Sequence, residues 1–162
     1  IIQTELQPKY FDKLDNITSI NFRMVNGEHT YSLKELGGSI LSYSRSLDLH
    51  NPLITMTIQL DKDIDLIAGS LLEMFLKTEG DQPMTTVPNE SIVEEMGNYF
   101  VYVQQTPELF EKRLVKKGAT DGRRTEIQSG LTAGERVVGK GATIVKLSQL
   151  AGSVDVHSGH VH

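Results

Sequence analysis

Three histidines near one end of the sequence carry its most ligand-like spacing. His157, His160 and His162 form an H-x-x-H-x-H pattern in a short Gly- and Ser-containing stretch. Neutral imidazole is a good ligand for zinc, copper or nickel, and three rings can converge on one ion if the backbone bends. The competing account is a solvated tail with no role. A flexible tail must be ordered on binding, which lowers affinity, and nothing nearby in the sequence supplies a second shell to orient the rings. The expectation is a weak divalent transition-metal site on His157, His160 and His162, if metal binds at all. His29 and His50 fall in or beside strands and loops of the first half of the chain.

Other candidate chemistry fades on inspection. Asp61, Asp63 and Asp65 alternate along one loop, but the glycine and the closing glutamate of a calcium loop are missing, which favours a solvated acidic loop. Met24, Met56 and Met74 are soft donors, yet each sits on the apolar phase of an alternating segment, which favours core packing. Gly139-Lys140-Gly141 opens like a dinucleotide fingerprint, but Ile144 takes the third glycine position. Turn glycines between strands explain the pair better, since glycine adopts positive φ at low cost. No nucleophile elbow, phosphate-binding Walker loop or zincin helix is present. The sequence therefore predicts no catalytic residues, no cofactor-binding residues, and no hydrolase, transferase or redox activity.

Composition narrows the class further. The chain has 162 residues, 38% of them hydrophobic and 6% aromatic, with no cysteine. That is enough for one ordinary domain or two small ones, and it removes disulfide and thiolate chemistry. The formal net charge is −5, which argues against a nucleic-acid binder held by phosphate contacts. The charge is uneven: residues 1–82 carry 7 Lys or Arg against 12 Asp or Glu, while residues 83–162 carry 9 of each. The apolar runs are only a few residues long, too short to span a bilayer. The chain opens at Ile1 without a signal peptide, as expected of a mature product or a piece of a longer chain.

The elements that must position these residues read as strands. Ile54-Thr55-Met56-Thr57-Ile58-Gln59-Leu60 alternates strictly, so Ile54, Met56, Ile58 and Leu60 should share the buried face. Ser19 to Met24 alternates in the same way and is followed by Asn26-Gly27, a strong two-residue hairpin signal, with His29 to Leu33 as the partner strand. Leu72 to Lys77 is a further strand, and Pro8 to Leu14 reads as a short helix with proline in its first turn. Glu79 to Pro83 is a polar break and a boundary candidate. Beyond it, Tyr99 to Val103 and Phe110 to Lys117 form a hairpin through Thr106-Pro107-Glu108. Arg124 to Gln128 and Arg136 to Val138 follow as short strands. No helical periodicity exceeds about three turns, and there are no heptads or repeats.

The second half carries motifs of a known family. Val87-Pro88-Asn89-Glu90-Ser91-Ile92-Val93, Tyr99 to Val103 and Phe110 to Gly118 each resemble a strand signature of the periplasmic adaptor (membrane fusion) proteins of resistance–nodulation–division efflux pumps. The run Thr125-Glu126-Ile127-Gln128-Ser129-Gly130-Leu131-Thr132-Ala133-Gly134-Glu135-Arg136-Val137-Val138 is similar to the most specific of those signatures. Gly38 to Ile40, Ser44 to Asp48 and Ile64 to Ser70 resemble the family's preceding β-barrel domain more loosely. There Ala68 stands where the family usually has proline.

The resemblance implies a mainly β fold: a β-barrel domain over residues 1–82, a small membrane-proximal β-barrel-like domain over 83–150, and a flexible His-containing tail over 151–162. It implies a C-terminal portion of an adaptor, without the family's lipoyl-like domain and helical hairpin. It also implies a periplasmic, inner-membrane-associated protein whose partners are an inner-membrane efflux transporter, an outer-membrane channel and further copies of itself. Transport of small molecules or metal cations follows from that role, and the His tail points to the heavy-metal cation branch. The alternative function is a stand-alone metal-binding β-domain that sequesters or delivers cations; an enzyme subunit is a third class.

Overall fold

The alternating segments become antiparallel strands because each buries one face and pairs its backbone with a neighbour. The computed structural model describes residues 1–154 apart from 46, 48, 81 and 82, with side chains through Ser148. The chain divides into two compact units, Ile1–Gln82 and Pro83–His162. The expectation of a mainly β fold holds.

Among the described residues the first unit contains six strands: β1 (Ile2–Leu6), β2 (Ile17–Met24), β3 (Thr30–Ser32), β4 (Ser39–Tyr43), β5 (Ile54–Gln59) and β6 (Leu72–Thr78). They form two three-stranded sheets, ordered β1-β5-β4 and β3-β2-β6. The two sheets share one core, built on Leu14, Ile20, Leu33, Ile54, Met56 and Ile58. The barrel expected for this unit is therefore not closed by hydrogen bonds among the described residues. Ile54, Met56 and Ile58 are fully buried, and Leu60 packs against the same cluster. The strict alternation of β5 forces this, because a one-residue slip would turn all of them to solvent. A 3₁₀ helix over Pro8–Asn16 starts with proline and inserts Leu14 into the core. Met74 also packs against that cluster, whereas Met24, at the end of β2, is 41% exposed rather than buried.

One turn differs from expectation. β2 and β3 do pair, with Arg23 opposite Thr30, so six residues, 24–29, lie between the last paired residues rather than two. Within them Gly27 N–H donates to the Met24 carbonyl at 2.8 Å, and Asn26 takes φ of 66°. Positive φ at the third place of a four-residue turn is a type II feature. Asn26-Gly27 is thus not the central pair of a tight hairpin. That geometry belongs instead to Met96 and Gly97, at φ 50° and 78°.

The second unit holds β7 (Thr86–Pro88), β8 (Val93–Glu95), β9 (Asn98–Gln104), β10 (Phe110–Thr120), β11 (Arg124–Ser129) and a helix α1 (Ala142–Val154). The strands form one antiparallel sheet in the order β7-β11-β10-β9-β8. The expected strand Arg136–Val138 is reduced to a single bridge, Val137 to Val103. Helix α1 is a correction. The Gly139–Gly141 stretch leads into it, with Gly141 at φ 105°, and it runs through Val154, past the boundary drawn after residue 150. Its Ala, Leu, Lys and Gln residues are good helix formers, but the glycines before it and Gly152 within it hide the signal. No helix of the described residues is long and apolar enough to cross a membrane.

Candidate functional site

Strand β9 organises the second unit because both of its faces are buried. Val101 and Val103 join Val87, Val115 and Ile127 in one cluster. Tyr102 points the other way, into a second cluster with Val93 of β8 and Ala142 of α1. The near-continuous apolar run Tyr99–Val103 follows from that double coverage: the sheet's own strands serve one face and the helix covers the other.

The most specific sequence signature is a strand-ending device. Gly130 closes β11 at φ 99°, and a Cβ there would overlap the Leu114 carbonyl oxygen and Val115. Leu131 then packs against the valine cluster. Glu135 holds the turn through its carboxylate. One carboxylate oxygen accepts the Thr132 backbone N–H at 2.7 Å, and the other pairs with Arg113 of β10. The Thr132 N–H, and after it Arg113, hold the Glu135 carboxyl below the usual range. Arg113 also pairs with Glu111 at 2.6 Å, and the two carboxylates raise its already high pKa.

A second ion-pair cluster ties helix to sheet. Glu95 on β8 accepts Lys112 of β10 and, at 3.1 Å, Lys146 of α1. These two ammonium groups, Lys112 foremost, lower the Glu95 carboxyl pKa. The Lys112 ammonium also lies 4.3 Å from the Phe100 ring centroid, a cation–π geometry. Sequence reasoning missed this cluster. Its members are scattered along the chain, and only α1 brings Lys146 to Glu95.

These groups are engaged in holding strands, turn and helix together rather than poised beside a nucleophile. Among the described residues no three His, Cys, Asp or Glu converge on a possible metal position. His157, His160 and His162, the metal ligands expected from spacing, lie outside the described residues. What the unit does present is apolar surface at Leu114, Ile144 and Leu147, which are 57%, 71% and 59% exposed.

Comparison with known proteins gives this surface a context. Residues 85–146 match the CzcB C-terminal circularly permuted SH3-like domain. The multidrug resistance protein MdtA of Escherichia coli strain SMS-3-5 is 27% identical over 117 residues, covering 70% of this chain and 28% of that protein. MdtA of Escherichia fergusonii is 26% identical over the same length. Among solved structures, ZneB from Cupriavidus metallidurans aligns at a TM-score of 0.38 and 23% identity, covering 86% of this chain and 40% of that one. MacA from Actinobacillus actinomycetemcomitans aligns at 0.35 and 18%, covering 84% and 40%. The chain thus spans under a third of the length of the curated relatives it matches. Residues 85–146 of the second unit are thus similar to a CzcB-type C-terminal SH3-like domain, in the same stretch whose motifs resemble the membrane fusion proteins.

Proposed function

We propose that this chain works as part of a periplasmic adaptor that joins an inner-membrane efflux transporter to an outer-membrane channel, and that it acts by docking rather than by catalysis. The observation that carries this is the match of residues 85–146 to the CzcB C-terminal domain. The structure is in keeping with it: the ion pairs of the second unit are spent on holding its fold, and its exposed apolar side chains suit protein contact. The exported cargo is a small molecule or a metal cation, the protein sits in the periplasm at the inner membrane, and it assembles with further copies of itself.

Two measurements test the role. Deleting the gene should raise cellular accumulation of the exported compound or cation, and a plasmid copy should restore export. A photo-cross-linking residue at Leu114 or Ile144 of the plasmid copy should capture an inner-membrane transporter. Unchanged accumulation across a panel of drugs and divalent cations would overturn the adaptor role. So would turnover of a small substrate that disappears on changing one polar residue.

A further inference from the structure

An aromatic corner lies on the surface of the first unit. The 3₁₀ helix Pro8–Asn16 carries Phe11 and Asp15, and β4 ends at Tyr43. The Phe11 and Tyr43 rings stand nearly at right angles, with an interplanar angle of 80° and centroids 6.1 Å apart. Tyr43 packs against the core of the unit, and its hydroxyl donates to Asp15 Oδ1 at 2.6 Å. One wall of the corner is thus fixed at both its base and its tip. The hydrogen bond to Asp15, foremost, raises the pKa of the Tyr43 hydroxyl above its ordinary value. The phenol therefore stays protonated and the negative charge stays on the carboxylate. Phe11, the other wall, is 41% exposed.

A cation from the chain itself already lies at this corner. The Arg45 guanidinium carbon is 5.9 Å from the Tyr43 centroid, at the outer edge of the ~6 Å range of cation–π attraction. The neighbouring Tyr10 ring holds the Lys9 ammonium in the same way, at 4.9 Å. At that distance, and on an exposed side chain, Arg45 is weakly held and can swing aside. Aromatic faces supply a negative quadrupole and the carboxylate supplies full charge, the combination that recognises quaternary ammonium and guanidinium groups. A weakly hydrated cation gains most, because it surrenders little hydration on leaving water. The field of the unit favours it as well, since residues 1–82 carry 12 Asp or Glu against 7 Lys or Arg. We propose that the corner formed by Phe11, Tyr43 and Asp15 binds a small, weakly hydrated organic cation, a quaternary ammonium or guanidinium group, in exchange for Arg45.

This assignment stands apart from the adaptor role, and the intact chain alone tests it. Choline chloride is titrated into the isotope-labelled chain and followed by NMR, with neohexanol, its neutral carbon isostere, as the control. Choline should saturate with a dissociation constant of about 1–10 mM, as suits a shallow site of two rings and one carboxylate. Its methyl protons should show contacts to the Phe11 and Tyr43 rings, and neohexanol should bind severalfold more weakly. Asp15→Asn should weaken choline binding severalfold. Phe11→Leu keeps every charge and removes one wall, and it should weaken binding to a similar degree, which separates the corner from a general charge effect. Arg45→Gln should strengthen binding severalfold, because the internal rival is gone. Asp15 and Arg45 are exposed, so these two changes should leave the melting temperature nearly unchanged. Shifts that do not saturate, equal binding of neohexanol, or contacts to other rings only would each overturn the assignment. So would undiminished binding by Phe11→Leu, or no gain from Arg45→Gln.

Discussion

Ile58→Ala in the first unit tests how its two sheets hold together. Ile58 is fully buried and lies in the central strand of its sheet, opposite Ile2 of β1 on one side and Ile40 of β4 on the other. Truncation removes three carbons from a site walled by strands that cannot collapse independently. Such changes cost about 2–5 kcal/mol, part transfer and part residual cavity. A domain of this size has a total stability of roughly 4–12 kcal/mol at ~0.05–0.15 kcal/mol per residue, so the substitution removes a large fraction of it. At about 4–8 °C per kcal/mol, a loss of ~3 kcal/mol lowers the melting temperature by roughly 12–24 °C. Leu41→Ala is the control: the same kind of truncation in β4, at a residue 51% exposed, should stay within about 0.5 kcal/mol. The assay is urea unfolding followed by circular dichroism, with heat denaturation alongside. Equal losses for the two variants, or a loss below 1 kcal/mol for Ile58→Ala, would refute the placement of β5 at the centre of a shared core.

Further outcomes follow from the second unit and the tail. Gly130→Ala should destabilise by about 1–3 kcal/mol, since it places a side chain at positive φ against the Leu114 carbonyl; the check is the midpoint of chemical unfolding. Glu95, Glu111 and Glu135 all have lowered carboxyl pKa values. Their stabilisation should be fully present above the ordinary glutamate range near ~4.3 and be lost as pH falls through the lower folded values. Unfolding midpoints from pH 7 to 2 should show this, and Lys146→Ala should reduce the acid sensitivity of α1 by removing one partner of Glu95. Zinc, copper or nickel titration should give weak heats that fade below about pH 6.5, where imidazole protonates. Those heats should vanish in a chain ending at Val156; identical heats would exclude His157, His160 and His162.

Local pattern alone determined much of this protein. The period-two alternation of Ile54–Leu60 names the buried face without any coordinates, because a strand has only two faces and one must leave water. The polar break after Glu79, the hairpin through Thr106–Glu108 and the glycines around Leu131 are equally local, and the family resemblance rests on that same stretch. Tertiary structure decided what depends on partners far along the chain. The tight positive-φ turn falls at Met96-Gly97 and not at Asn26-Gly27, because strand register, with Arg23 opposite Thr30, sets the loop length. Helix α1 forms where a glycine-punctuated segment finds Tyr102 and Val93 to cover. Glu95, Lys112 and Lys146 become one cluster only when three elements meet.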